Sequence, residues 1–332
     1  MVAYFFGQVG MTSSTIDVVT LLSACVDLGA FAGQVIRDVV ASGESLQTVN
    51  KADTAAVSFD PQTIADTRAQ QRIVESLRRH FGPDLIIVGE EGNLDAPAED
   101  DVMVPCTTLL THDPFPVELA DVVVWVDPLD GTRKFTEKQY DHVSVLLGIS
   151  YRGRPIAGVM HQPFVGQAGG GTTYYGGSAV GGIFKCVSPS IHDHHPSFDR
   201  VVFPSENRSK TSIAPIVGYS ETPCRHLHAI LPLLNMPSLS KGSTGILLLD
   251  VALGRIDVYL RHADRTKRWD SCVGEAFLNV RGGILTDRHG RLYSYEATTD
   301  PANSTGVVAC VDKILHAQVV AQIASYTANA LN

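Results

Sequence analysis

Two strand-length apolar runs, each ending in acidic residues, constrain the fold of this chain most strongly. Residues 122–126 (VVVWV) lead directly into Asp127, and residues 85–88 (LIIV) lead into Gly89 and then Glu90. Continuous apolar runs of this length predict buried strands. We therefore expect carboxylates at the ends of two strands in the interior of the protein.

Helical patterns alternate with these runs. In residues 14–40, apolar side chains recur every three to five positions, and residues 63–80 repeat the pattern before Gly82-Pro83 ends it. Such spacing predicts amphipathic helices. Residues 142–150 and 155–160 read as a strand pair. The later part predicts further strands and helices at residues 200–203 (strand), 224–234 (helix), 244–253 (helix), 256–260 (strand) and 271–280 (helix).

A glycine-rich stretch suggests where the chain divides. Residues 166–182 contain eight glycines but no G-x-G-x-x-G pattern, so hairpin turns are favoured over a phosphate cradle. We predict an N-terminal α+β half at 1–164 that carries most metal ligands. The C-terminal α/β half, 165–332, would carry the substrate-binding residues and the last metal ligand. Residues 92–120 lack steady periodicity and predict a long loop.

The run 127–132 (DPLDGT) has the chemistry of a metal site. Pro128 restricts the backbone and Gly131 permits a close approach or a positive φ, so the turn can aim Asp127 and Asp130 at one point. Asp270, near the start of a late helix, offers a third carboxylate. Oxygen ligands suit magnesium better than zinc. Taken alone, the run fits an ordinary surface turn equally well.

Charge and cysteine content exclude several classes of protein. The formal net charge of -9 argues against a partner that is a nucleic acid polymer, because such binding depends on clustered Lys and Arg. The six cysteines contain no Cys-x-x-Cys pair, which fits reduced thiols. No run approaches the roughly 18 apolar residues of a membrane span. We expect a cytoplasmic protein without a membrane partner, either a monomer or a weak homo-oligomer.

Several motifs together resemble a known family. Gly89-Glu90-Glu91, then WVDPLDGT (125–132), then Trp269-Asp270 ahead of Gly282-Gly283, resemble the inositol monophosphatase superfamily. TIADTRAQ (63–70) and KRWDSC (267–272) resemble the 3'(2'),5'-bisphosphate nucleotidases within it. The resemblance implies an α+β fold, a layered α/β/α/β/α sandwich of the inositol monophosphatase and fructose-1,6-bisphosphatase type.

The resemblance also implies a set of metal ligands. Glu90, Asp127 and the carbonyl of Leu129 would hold one ion, and Asp127, Asp130 and Asp270 a second. Asp66, with Glu90, would face a third, weaker ion. Asp66 would also bond Thr132, and this catalytic pair would orient the attacking water. Two to three Mg²⁺ ions, and inhibition by Li⁺, follow from the same likeness.

The predicted substrate is a small phosphorylated molecule. The likeness implies removal of the 3'-phosphate of adenosine 3',5'-bisphosphate, giving AMP and phosphate, with 3'-phosphoadenosine 5'-phosphosulfate as a further candidate substrate. The alternatives are an inositol polyphosphate 1-phosphatase or inositol monophosphatase and, in another class, a catalytically silent nucleotide sensor. The complete acidic set argues against the sensor.

Predicted substrate contacts come from both parts of the chain. Gly242-Ser243 precedes a predicted helix whose N-terminus could receive a phosphate, although an ordinary helix cap is an equal alternative. Lys267 could pair with a 5'-phosphate. The full predicted set is Gly131, Thr132, Ser205, Lys210, Gly242, Ser243, Lys267 and Asp270.

Overall fold

The structure, a computed structural model, describes residues 14–51, 59–166, 170–187, 197–203, 214–220, 225–262 and 266–330. The first helix begins where the Asp17 carboxylate accepts hydrogen bonds from the amides of Val19 and Thr20. The helices of this part of the chain are α1 (Val18–Ser42), α2 (Ile64–Phe81), α3 (Thr132–Thr136), α4 (Arg225–Leu234), α5 (Thr244–Ala252), α6 (Arg268–Val280) and α7 (Lys313–Ala330).

The strands form two main sheets and two short pairs. They are β1 (Thr15–Asp17), β2 (Val49–Asn50), β3 (Pro61–Gln62), β4 (Ile86–Gly89), β5 (Pro116–Glu118), β6 (Val122–Asp130), β7 (Ser144–Tyr151), β8 (Arg154–Gln162), β9 (Thr172–Gly177), β10 (Gly182–Val187), β11 (Asp199–Arg200), β12 (Val217–Tyr219), β13 (Ser238–Ser240), β14 (Val258–Arg261), β15 (Ile284–Thr286) and β16 (Val307–Cys310). The larger sheet has the order β11-β10-β9-β8-β7-β6-β4, and the smaller has β13-β12-β14-β16-β15. β1 pairs with β5, and β2 with β3.

Five layers stack through the molecule. Helices α1 and α2 pack on one face of the larger sheet, and α5 and α6 lie between the two sheets. Helix α7 covers the outer face of the smaller sheet with α4. The predicted α/β/α/β/α sandwich is confirmed. Each apolar face is covered by the next layer, and the buried apolar residues form three clusters between successive layers.

Helix α1 is long and apolar enough to cross a membrane by length and composition, but 78% of its apolar window is buried inside the fold. Leu21, Leu22 and Leu28 are fully buried in the cluster that joins α1 to the larger sheet. In this structure α1 is therefore a core helix.

The predictions of a cytoplasmic location and of a monomer or weak homo-oligomer stay predictions.

The glycine-rich stretch forms a hairpin, as predicted. β9 and β10 pair antiparallel from Thr172 with Val187 to Gly177 with Gly182. The larger sheet thus takes strands from both sides of the proposed division after residue 164, while the smaller sheet begins only with β12. The division into halves at this point stays a prediction. The predicted loop at 92–120 contains β5, which pairs with β1.

Candidate active site

The acidic residues predicted at two strand ends meet at one edge of the larger sheet. β4 and β6 are adjacent and parallel, with Gly89 opposite Val126, so their carboxyl ends lie side by side. Glu90 follows β4, and Asp127 and Asp130 lie in the last part of β6. Helix α6 brings Asp270 to the same place, and potential ligand atoms of Asp127, Asp130 and Asp270 lie within 4.8 Å of one another.

An irregularity in β6 allows both of its aspartates to reach the cluster. Residues three apart on a regular strand point to opposite faces of the sheet. The register of β6 against β7 shifts between Asp127 and Asp130, where the run contains Pro128. This shift breaks the alternation, as a β-bulge does. The sequence predicted a turn here, and the structure instead continues the strand through an irregular segment to Asp130.

The carboxylates are crowded and removed from water. Burial raises the pKa of Asp270 to about 8, with added repulsion from Glu90 and Asp130. Burial likewise holds the pKa of Asp127 well above its usual range. The pKa of Asp130 rises to about 6 because burial outweighs hydrogen bonds from neighbours that include Ser144 and the Gly245 amide. A cluster of this kind disfavours its own ionised form unless a cation is present.

The donor set fits a hard divalent cation. Every candidate ligand atom is a carboxylate or carbonyl oxygen, which magnesium and similar ions prefer. The Leu129 carbonyl, between Asp127 and Asp130 in the chain, accepts a hydrogen bond from the Thr132 hydroxyl at 2.9 Å. Glu90 is close enough that its charge raises the pKa of Asp127, Asp130 and Asp270. The described residues therefore offer a coherent site for positive charge.

Asp66 connects the start of α2 to the cluster. Its Oδ2 accepts hydrogen bonds from the Thr63 amide at 2.8 Å and the Thr63 hydroxyl at 2.6 Å. Its Oδ1 accepts from the Thr132 hydroxyl at 2.8 Å. Asp66 is fully buried, and burial raises its pKa to about 7. The Asp66–Thr132 contact that the family likeness implied is therefore present.

A lysine that the sequence did not single out bridges two glutamates beside the cluster. Lys51 Nζ lies 2.9 Å from Oε1 of both Glu90 and Glu91. Burial alone would lower the pKa of this ammonium, but the two carboxylates outweigh it and raise the pKa. Glu91 also accepts a hydrogen bond from Gln62 on β3. Glu90 therefore already has one cationic partner.

The N-terminus of α5 faces Asp130. The Gly245 amide donates to Asp130 Oδ2 at 2.9 Å, and Ser144 Oγ donates to the same oxygen at 3.1 Å. The backbone therefore binds a carboxylate of the protein at the point where Gly242-Ser243 was predicted to receive a phosphate. Gly131 is required nearby, because its φ is 90° and a Cβ there would lie 2.6 Å from the His142 carbonyl oxygen.

The cluster opens into a cleft of about 460 Å³. The predicted substrate residues in its wall are Gly131, Thr132, Gly242, Ser243, Lys267 and Asp270. Ser205 and Lys210 lie outside the described residues. Basic side chains of the wall include Arg133, Lys134 and Arg261, none of which the sequence had singled out. The cleft thus combines an acidic end with several cationic side chains.

Of the basic cleft residues that sequence reasoning missed, Arg261 carried the clearest signal in the sequence. It ends the apolar strand β14, is buried, and donates to Ser220 Oγ. A charged residue at the end of an apolar strand is the same signal that identified Asp127. Lys51 carried no such signal, because it lies near two-residue strands.

The layered fold and the acidic cleft define a family. The chain belongs to the inositol monophosphatase family, whose sequence pattern matches residues 17–328. Among its relatives are 3'(2'),5'-bisphosphate nucleotidase 1 of Homo sapiens and that of Dictyostelium discoideum. Each is 32% identical over 90% of this chain, covering 93% and 95% of the relative.

Solved structures show the same fold. CysQ from Bacteroides thetaiotaomicron, described as a bacterial member of the inositol monophosphatase family, superposes with a TM-score of 0.63 at 21% identity, covering 89% of this chain and 98% of that one. The suhB protein of Bartonella henselae gives a TM-score of 0.64 at 17% identity, covering 91% and 98%. Predicted family and fold class are both confirmed.

Proposed function

We propose that this protein is a magnesium-dependent phosphatase that hydrolyses the 3'-phosphate of adenosine 3',5'-bisphosphate to give AMP and phosphate. The observation that carries the proposal is the meeting of Asp127, Asp130 and Asp270 within 4.8 Å at the floor of a cleft with basic walls. The relatives named 3'(2'),5'-bisphosphate nucleotidase 1, which match along most of the chain, support the choice of substrate.

The protein's own groups divide the work. Glu90, Asp127, Asp130, Asp270 and the Leu129 carbonyl would hold Mg²⁺, with Asp66 near a third ion. Bound magnesium would supply positive charge to the phosphoryl oxygens and lower the pKa of a bound water.

The Thr132 hydroxyl, oriented by Asp66, lies at the wall of the cleft. There it positions the attacking water for in-line displacement at phosphorus, and no phosphoenzyme forms. Lithium, with half the charge of magnesium, would fit oxygen ligands and stabilise the transition state less, so we propose inhibition by Li⁺.

A second anionic group of the substrate would meet the basic wall. Arg261 has a planar guanidinium suited to a phosphate, and Lys267 offers a point charge in the wall of the same cleft. A substrate with two phosphates would bring one to the acidic cluster, where metal ions would bind it, and the other to these basic side chains. An inositol monophosphate would leave the basic wall without an anionic partner, which favours the bisphosphate.

Phosphate release tests the proposal. Adenosine 3',5'-bisphosphate, inositol 1,4-bisphosphate and inositol 1-phosphate are compared at equal concentration with Mg²⁺, with Mg²⁺ plus Li⁺, and with EDTA. We expect the nucleotide to be preferred and the reaction to stop with EDTA. Preference for an inositol phosphate would refute the nucleotidase assignment, and turnover of none of them would favour the silent sensor.

Two variants test the assigned roles. Asp127→Asn should lower kcat by several orders of magnitude, because it removes charge from a ligand shared by two ions. Arg261→Lys keeps the positive charge but loses the paired N–H donors of the planar guanidinium. It should therefore raise KM for the bisphosphate more than it lowers kcat. Unchanged kinetics in either variant would remove that residue from the proposed machinery.

A further inference from the structure

Residues 293–303, which we call the α6 strap, cross the N-terminal turn of α6 and end at Asn303. The Arg268 amide donates to the Pro301 carbonyl at 2.7 Å, and Arg268 Nε donates to the Ser294 carbonyl at 2.8 Å. Lys267 and Ala302 form an antiparallel bridge. The strap therefore holds the turn that contains Asp270 through both backbone and side chain.

Asn303 is the central residue of this contact. It is fully buried, and its amide nitrogen lies 2.8 Å from the Lys267 carbonyl oxygen, 3.1 Å from Thr266 Oγ1 and 3.2 Å from Ser271 Oγ. Its Oδ1 accepts from the Arg268 guanidinium. These four partners surround Asp270 on the chain, although Asn303 does not itself line the cleft. An amide is suited to this position because it donates and accepts at once.

The strap also reaches the strand that carries Asp127. The Trp125 indole donates to Ser150 Oγ at 3.1 Å, and the Ser150 hydroxyl donates to the Tyr295 carbonyl at 2.8 Å. The Tyr295 hydroxyl lies 3.1 Å from Ser271 Oγ. A continuous buried network therefore joins β6, two residues before Asp127, to the first turn of α6.

We propose that Asn303 is a positioning residue: through the α6 strap it fixes where Asp270 lies relative to Asp127, and thereby sets the affinity of the acidic cluster for divalent cations. This inference rests on the proposed function for the identity of the ligands. Asp270 Oδ2 accepts a hydrogen bond from the Lys267 amide at 2.5 Å, so a shift of the turn moves the carboxylate with it. Groups that orient metal ligands in this way commonly affect metal affinity by about 10- to 100-fold.

The test compares Asn303→Asp with a control of similar burial. Asn303→Asp keeps the shape and the acceptor but places a carboxylate oxygen against the Lys267 carbonyl. Thr286→Val removes a fully buried hydroxyl on β15, which bonds the Asp287 carbonyl and His316, neither of which belongs to α6 or to the α6 strap. Binding of Mn²⁺ is measured by electron paramagnetic resonance where circular dichroism shows each variant folded, and Tm is recorded without metal.

We expect Asn303→Asp to weaken Mn²⁺ binding by about 10-fold or more, and Thr286→Val to lower Tm while leaving affinity close to that of the wild type. Equal affinities for the wild type and Asn303→Asp, or equal weakening by Thr286→Val, would overturn the inference. If Asn303→Asp does not fold, Ser271→Ala is tested in its place, because it removes one hydrogen-bond partner of Asn303. Ser271→Ala should also weaken Mn²⁺ binding, and an unchanged Mn²⁺ affinity would overturn the proposal. Absence of Mn²⁺ binding by the wild type would instead contradict the proposed metal site.

Discussion

Gly245 offers a sharp test of how closely the site is built. It lies in the first turn of α5, and its amide donates to Asp130. A Cβ at this position would lie 2.6 Å from Asp130 Oδ2, 2.9 Å from Met160 Cε and 3.0 Å from Leu146 Cδ1. The substitution Gly245→Ala therefore drives a methyl group against a proposed metal ligand and against the core behind it.

The size of the effect follows from the distances. Ordinary van der Waals contact begins at 3.4 Å, so Asp130 or the helix must move by about 0.8 Å (3.4 Å less 2.6 Å). A misplacement of about 1 Å in a catalytic site costs about 100-fold in rate, and overpacking a core costs about 1–3 kcal/mol. We expect kcat/KM to fall by about 10- to 100-fold and the apparent Mg²⁺ dissociation constant to rise by about 10-fold.

The matched control is Gly29→Ala. Gly29 is a buried glycine within helix α1, and a Cβ there would meet nothing closer than 3.5 Å. Because alanine favours a helix over glycine by about 0.5–1 kcal/mol, this variant should be as stable as the wild type or slightly more so, with unchanged kinetics. Both proteins are assayed for phosphate release across a Mg²⁺ titration, and for free energy of unfolding in urea.

A folded Gly245→Ala protein with wild-type kcat/KM and wild-type Mg²⁺ dependence would refute this reasoning. It would mean that the position of Asp130 is not limiting. A loss of activity that is explained entirely by a smaller folded fraction would refute it as well, because the argument concerns a displaced carboxylate in a folded protein.

Three further predictions concern charge and the cleft hydroxyl. Thr132→Val should lower kcat by about 100-fold or more while Mn²⁺ affinity stays near that of the wild type; activity within a few-fold would contradict the role of the hydroxyl. Lys51→Met should tighten Mg²⁺ binding, measured by calorimetry, because it removes the ammonium that competes with the metal ion for Glu90. Lys51→Arg keeps a cation there and should not tighten binding, and weaker binding in Lys51→Met would exclude competition between Lys51 and Mg²⁺. In EDTA, Tm should fall between about pH 5 and pH 8, because Asp66, Asp130 and Asp270 have folded pKa values of about 7, 6 and 8, above their ordinary value. The folded state then binds more protons than the unfolded state, so stability present at low pH is lost as pH rises. Saturating Mg²⁺ should remove this decline, and a flat Tm in EDTA would argue against it.

Sequence reasoning succeeded where the signal was local. The apolar runs that end at Glu90 and Asp127 predicted strands β4 and β6, and spacing predicted α1, α2 and α5 to within a few residues. The order of acidic motifs indicated the family and therefore the layered fold. These features depend on neighbours in the chain, which a pattern of residues records directly.

The remaining features depend on contacts between distant residues. Nothing near Asp66 in the sequence shows that this helical aspartate is fully buried against Thr132, and only the family likeness pointed to it. Lys51, next to β2, meets Glu90 from 39 residues away in the chain. Asn303 meets the turn before α6 from more than thirty residues away. The predicted contacts of Ser205 and Lys210 stay predictions.

The two oxygens of Asp66 face two separate tasks. Oδ2 secures the beginning of α2 through Thr63, and Oδ1 orients the hydroxyl of Thr132 in the cleft. Selection for a folded chain and selection for turnover therefore act on the same side chain. A substitution at position 66 that abolishes catalysis should therefore also destabilise the fold. Related proteins that stay folded but have lost activity should carry their substitutions at residues that line the cleft and have no structural role.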